Sequence, residues 1–262
     1  MHSEVRLLTV ENTGGNANAT GIWAGDVLQP ASISHVAVSV DGGTSSNVGI
    51  FIEGSKPTVA WVAVATASAS VDSVGIVNNG SSPTMENIAV TATAGASLTS
   101  GISNYESSPI MSNIDAVAFS GGQDAYGIYN ASSSSPVMNN VTARASGTGT
   151  NTVGVYNLQS SPKMNNVTAT VSGNSTTKVG VLSDTSVVTM HNVTAGATGA
   201  SVAIDNVNSI VLIHESFASS ATSIRRVSGK VVAFDTAAFG PTTGGVVCYN
   251  AVDANLDPYI CA

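Results

Sequence analysis

Asp115 and Arg144 come nearest in this chain to a catalytic pair, because a carboxylate beside a guanidinium can steer a proton or grip an anionic substrate. They fall on one strand face in successive repeats, and a surface ion pair accounts for both. Glu86 shares an outward column with Ser112, Asn139, Asn165 and His191, with no second carboxylate beside it. Asp72, Asp124 and Asp184 sit in separate turns, outside any repeated Gly/Asp calcium motif. His35, His191 and His214 lie in different repeats, so they are expected to stand too far apart to share a metal. These residues predict no catalytic site, no metal and no cofactor.

Binding chemistry is better represented. Phe51, Val77, Ser103, Tyr129, Tyr156 and Leu182 form one outward column. Tyr129 and Tyr156 are neighbours in it and could stack on sugar rings with Phe51 as a further contact, or stack on each other and brace adjacent strands. A second outward face carries Thr142, Thr168 and Thr194, an array of the kind that binds ice, but Asp115, Arg144 and several alanines interrupt it. Cys248 and Cys261 are 13 residues apart. Joined, they would stabilise the fold by roughly 3 kcal/mol and imply an oxidising compartment; the alternative is two free thiols.

The elements that position these residues follow from a repeat. Gly49, Gly75, Gly101, Gly127, Gly154 and Gly180 are spaced by 26, 26, 26, 27 and 26 residues. Met85, Met111, Met138, Met164 and Met190 are spaced by 26, 27, 26 and 26, so both series take their extra residue in the same repeat. Each unit reads as three short strands with period-2 alternation: one like Tyr126 to Asn130, one after Ser-Ser-Pro such as 136–140, and one like Val141 to Ala145. Pro57, Pro83, Pro109, Pro136 and Pro162 mark the start of the second strand, where proline is tolerated.

Stacked in register, these units make an all-β, right-handed parallel β-helix, a β-solenoid with rungs of about 26 residues and a rod roughly 40 Å long. The five methionines form an inward column, with Val59 one rung earlier. Two asparagine columns, Asn78, Asn104, Asn130, Asn157 and Asn87, Asn113, Asn140, Asn166, Asn192, lie where strands turn and read as amide ladders. Asn130, Asn140, Asn166 and Asn192 also begin glycosylation sequons, but as inward-turning residues they are expected to be poor acceptors. In the early rungs Trp61 replaces the corner asparagine. After about residue 193 the rung shortens, with 210–213 and 231–234 read as equivalent at a spacing of 21. Residues 1–240 are thus assigned to the solenoid, incomplete at its N-terminus, and 241–262 to a capping segment holding Cys248 and Cys261.

Composition narrows the partners. The net charge is −8, only 9% of residues are charged, and there are eight Lys plus Arg, which argues against nucleic acid and anionic membranes. No apolar run is long enough for membrane insertion. Mean hydropathy of +0.25 and abundant β-branched residues argue against disorder.

The repeat Ser-Ser-Pro-X-Met-X-Asn-Val-Thr-Ala, followed by a Gly/Ser/Thr turn and Val-Gly-Val-Tyr-Asn, resembles that of secreted bacterial right-handed parallel β-helix proteins, relatives by fold of pectate lyases and pectinesterases. The similarity covers residues 5 to 240, and Val247-Cys248-Tyr249 with Asp257 to Cys261 looks like the closing segment of such proteins. The resemblance implies a secreted or cell-surface rod, with the leader absent from these residues. The expected function is structural, adhesive or glycan-contacting without catalysis, its partner an extracellular glycan or another copy of the chain. The alternative is a polysaccharide lyase or esterase, with ice binding a further one.

Overall fold

The structure, a computed structural model, describes residues 3–15, 17–27, 30–67, 71–199 and 201–253. Within them the chain is all-β, with every inter-strand pairing parallel and two sheets alternating along the sequence. One sheet stacks Ser3–Asn12, Ala31–Val40, Thr58–Ala67, Thr84–Thr93, Ile110–Ser120, Val137–Gly147, Lys163–Gly173 and Val187–Ala197 before continuing into shorter strands. The other stacks Asn18–Gly25, Ser46–Glu53, Asp72–Asn79, Leu98–Tyr105, Asp124–Ala131, Asn151–Leu158 and Thr177–Asp184, and then also shortens. The result is the predicted β-solenoid, with like residues over like: Met85 faces Met111, Met111 faces Met138, and Met164 faces Met190.

The expected second and third strands of each rung run on as one strand, bent at a single residue. In the bend stand Leu7, His35, Trp61, Asn87, Asn113, Asn140, Asn166, Asn192, Glu215, Asp235 and Asn250, all with φ between 45° and 58°. One left-handed residue turns the chain sharply while the flanking backbone amides stay in the ladder, so no loop is needed. Only past Val187–Ala197 does the strand split in two, Ser209–His214 and Phe217–Ser219.

The inner space is narrow and filled by small residues. Val62, Val64, Ile88, Val90, Ala116, Ala143 and Ala169 are buried in one continuous core with all five methionines. The repeated glycines are explained by backbone approach: a Cβ on Gly75, Gly101, Gly127 or Gly154 would lie 2.6–2.7 Å from the carbonyl oxygen of the next rung's glycine. The last of the series, Gly180, would meet the carbonyl of Ala203 at 2.6 Å.

Buried polar groups are satisfied along the rod axis. Asn78, Asn104 and Asn130 each donate from Nδ2 to Oδ1 of the next amide, at 2.7, 2.8 and 2.9 Å, ending at Asn157. The column is flanked by Ile52 and Ser183, and its two terminal atoms, Asn78 Oδ1 and Asn157 Nδ2, are the ones left without partners. A serine ladder that the sequence reading missed runs beside it. The amides of Ser81 and Ser107 donate to the hydroxyls of Ser107 and Ser134 at 2.9 and 3.1 Å, and Ser186 to Ser209 at 2.8 Å.

Two expectations change near the C-terminal end. Val211 pairs with Val231, a spacing of 20 rather than 21. Thr242–Thr243 and Val247–Tyr249 still pair in parallel with the preceding rung. Cys248 lies in the second of these strands, whereas Cys261 lies outside the described residues, and with it their expected pairing.

Candidate ligand-binding groove at the left-handed corner

The bend column is also the margin of a shallow groove of about 640 Å³, lined at one end by His35 and Trp61, along its floor by Ala37, Ala63 and Ala89, and further on by Asn87, Asn113 and Asp115. Parallel register makes this arrangement, since Ala37, Ala63, Ala89 and Asp115 succeed one another rung by rung. The alanines leave the depression, and the larger corner side chains wall it. Trp61 is 58% exposed, an unusual position for so large an apolar ring, and it stacks on His35 with centroids 6.1 Å apart and planes 19° apart.

Trp61 and His35 hold left-handed backbone at φ 58° and 52°, the conformation that the later rungs give to asparagine. For asparagine that region is accessible at little cost; for a bulky side chain it is strained by roughly 1 kcal/mol. Leu7, Glu215 and Asp235 hold the same conformation at their bends, so it belongs to the coil, and what sets Trp61 and His35 apart is the exposed, stacked pair of rings.

Beyond Asn87 the margin becomes an open amide row. Asn113 donates to Asn87 at 3.1 Å, Asn140 to Asn113 at 3.1 Å and Asn166 to Asn140 at 2.7 Å, and Asn192 donates to Asn166. Each rung link uses one N–H and one oxygen lone pair, so each amide keeps a second donor and a second acceptor. Asn113, Asn140, Asn166 and Asn192 are exposed, which corrects the expectation that the ladder asparagines in sequons turn inward; of Asn130, Asn140, Asn166 and Asn192 only Asn130 is buried. Thr142, Thr168 and Thr194 line the same stretch. Across it Arg144 Nη1 meets Asp115 Oδ1 at 2.8 Å, the expected ion pair, with both side chains about half exposed.

The other sheet brings Tyr129 and Tyr156 together, their rings 5.3 Å apart and tilted by 35°. It also adds two tyrosines that the sequence reading passed over. Tyr105 packs edge-on against Tyr129 at 5.6 Å, and Tyr126 lies 5.3 Å from Tyr129 and 5.4 Å from Tyr156. Tyr126 was missed because glycine breaks the period-2 alternation and sets it on the same outer face. Its hydroxyl donates to Asp124 Oδ2 at 3.0 Å. Burial raises all four phenol pKa values, that of Tyr156 to about 12, and Asp124 raises those of Tyr126, Tyr129 and Tyr156 further. These rings therefore spend much of their surface on one another. Phe51 stands apart, three rungs or about 14 Å from Tyr129 along the column, next to the exposed Trp23.

The histidines depart from expectation. His35 is remote from the others, but His191 and His214 are register partners with parallel rings 5.6 Å apart. With Glu215 they form a cluster whose ligand atoms lie within 4.8 Å of one another, which overturns the expectation that they stand too far apart for a metal. Lying in different rungs does not separate residues when neighbouring rungs are only about 4.8 Å apart. Glu86, by contrast, accepts only a 3.3 Å hydrogen bond from Asn87 among its described contacts. No family model matches the chain, and no curated protein matches it in sequence.

Proposed function

We propose that this protein is a non-catalytic, glycan-contacting β-solenoid of the extracellular space or cell surface, and that the His35–Trp61 groove is where an uncharged sugar chain lies. The observation that carries the reading is the exposed, strained Trp61 ring at the head of an alanine-floored groove. A flat indole takes the apolar face of a pyranose ring, and a small-residue floor lets the sugar approach. The amide row downstream offers a donor and an acceptor on every rung, which suits vicinal hydroxyls. The rung rise of about 4.8 Å is close to the length of one sugar unit, so a linear glycan can lie along the axis with successive residues over successive rungs. The net charge of −8 disfavours polyanionic chains.

On this reading the kinship with secreted pectate-lyase-like β-helix proteins is one of fold and export rather than chemistry. Asp115 serves the groove through its pairing with Arg144 and not as an acid or base.

The test is a glycan array followed by calorimetry on the hits. Wild-type binding that falls at least tenfold in Trp61→Ala supports the groove. Binding that survives Trp61→Ala and disappears in Tyr129→Ala/Tyr156→Ala moves the site to the tyrosine cluster. Absence of binding to every glycan removes the reading. Turnover of pectin or alginate, lost in Asp115→Ala, would overturn the non-catalytic claim.

A further inference from the structure

We propose that His191, His214 and Glu215 form a binding site for a divalent transition-metal ion of the zinc or nickel class, on the rod surface where the coil shortens. The site lies outside the groove and is independent of its ligand.

Three features of the geometry point to it. The first is donor spacing. His191 Nε2 lies 3.1 Å from Glu215 Oε2, and His214 Nδ1 lies 3.7 Å from Glu215 Oε1. Tetrahedral ligands at about 2.0–2.1 Å from zinc are about 3.3 Å from one another, so these separations bracket the required value. The widest gap in the cluster is within 4.8 Å, and rotation of half-exposed side chains closes it.

The second is that His191 has its other nitrogen hydrogen-bonded to an acceptor, and that an acidic side chain faces the other nitrogen of His214. His191 Nδ1 is 3.0 Å from Asn165 Oδ1, and Asn165 is itself oriented by donating from Nδ2 to Asn139 Oδ1 at 3.4 Å. A carboxamide oxygen only accepts, so Nδ1 donates to it and Nε2 is the nitrogen turned to Glu215. His214 Nε2 faces Asp235 Oδ2 at 3.8 Å, and Asp235 is held by Asn250 Nδ2 at 2.8 Å. Outer partners of this kind fix the tautomer and ring orientation of metal-binding histidines.

The third is an orphan. His214 Nδ1 is buried and lacks any hydrogen-bond partner, although it points towards the Glu215 carboxylate. A buried ring nitrogen without a partner is costly, and a metal ion held between it and the carboxylate would satisfy both. The two imidazoles are parallel and 5.6 Å apart, with the glutamate following His214 directly in the chain. Two imidazoles and one carboxylate select zinc-class ions over magnesium or calcium, which prefer all-oxygen shells.

The experiment is calorimetric titration of the untagged chain with ZnCl₂, NiCl₂ and MgCl₂, together with Co²⁺ visible spectra. The expected result is one zinc or nickel ion per chain, no magnesium heat, and the visible bands of low-coordinate cobalt. His214→Asn and Glu215→Gln should each weaken binding at least tenfold, and His35→Asn should leave it unchanged. Asn165→Ala, which removes a positioning residue, should weaken it by about tenfold or more and alter the cobalt spectrum without unfolding the apo-protein. Absence of zinc binding overturns the proposal, as does binding that His191→Asn and His214→Asn leave intact while circular dichroism shows the variants folded.

Discussion

Trp61 stands on His35 with near-parallel rings, and both residues occupy the left-handed backbone that Asn87 occupies one coil later. A tryptophan kept there at a cost in strain, with its ring more than half exposed, predicts a trade between stability and binding. Trp61→Asn places the residue type of the later rungs in the corner and is expected to raise stability by about 0.5–1 kcal/mol. It should also abolish glycan binding. Urea denaturation and calorimetry on the same sample check both; a destabilised variant with unchanged binding would refute the assignment.

The interior amide ladder predicts a coupled loss. Asn104 accepts from Asn78 and donates to Asn130, so Asn104→Leu orphans a donor on one side and an acceptor on the other inside the core. The expected cost is about 2–4 kcal/mol. Adding Asn130→Leu removes one of the orphans it created, so the double variant should lose less than the sum of the singles. Strict additivity in a double-mutant cycle would show that the ladder is not cooperative.

The fold was legible because the repeat places identical residues at identical heights: the spacing of Met111 and Met138 already encodes their contact. The corner at Asn113 and Asn140 was legible for the same reason. What stayed hidden depends on departures from the period. Val187 pairs with Ile210, a step of 23 residues rather than 26, and only that step sets His214 directly beside His191. Ser81 and Ser107 belong to Ser-Ser-Pro turns, and turn propensity alone gives no sign that their hydroxyls turn inward to accept from an amide of the preceding rung. Trp61 reads as an irregularity of an end rung, because its exposure and its neighbour His35 are features of the stacked rod.

The tyrosine cluster predicts a specific alkaline transition. Free phenols titrate near pH 10, whereas Tyr156 is raised to about 12 and Tyr105, Tyr126 and Tyr129 are raised as well. Below pH 10 these phenols are neutral in both the folded and unfolded states, and their contribution is fully present. Above pH 10 the unfolded chain ionises first, so stability falls as pH rises from 10 through 12. Near-ultraviolet phenolate absorbance should therefore lag behind free tyrosine and then rise with the loss of circular dichroism. In Asp124→Asn the lag of Tyr129 and Tyr156 should shrink, because the carboxylate raises both. Simple titration near pH 10 without unfolding would show that the four rings are solvated.

The glycine column predicts the sharpest contrast between two small changes. Gly101 lies under the carbonyl oxygen of Gly127 so closely that a Cβ would stand 2.6 Å from it, with Ala116 Cβ at 3.1 Å. Neither contact can relax by rotating a side chain, because the first is backbone and the second has no further torsion. Gly101→Ala must therefore push two rungs apart, which also lengthens the ladder bonds of Asn104 alongside. The expected loss is about 2–3 kcal/mol. Ala203 follows Gly180 in the same column, with Ser223 over it in the next rung, and it already carries the methyl group with full burial. Ala203→Gly should cost only about 1 kcal/mol, from lost packing and added chain entropy. Thermal melts of the two variants measure the contrast directly. If Gly101→Ala were as mild as Ala203→Gly, the close approach of successive backbones would not be what holds glycine from Gly49 to Gly180.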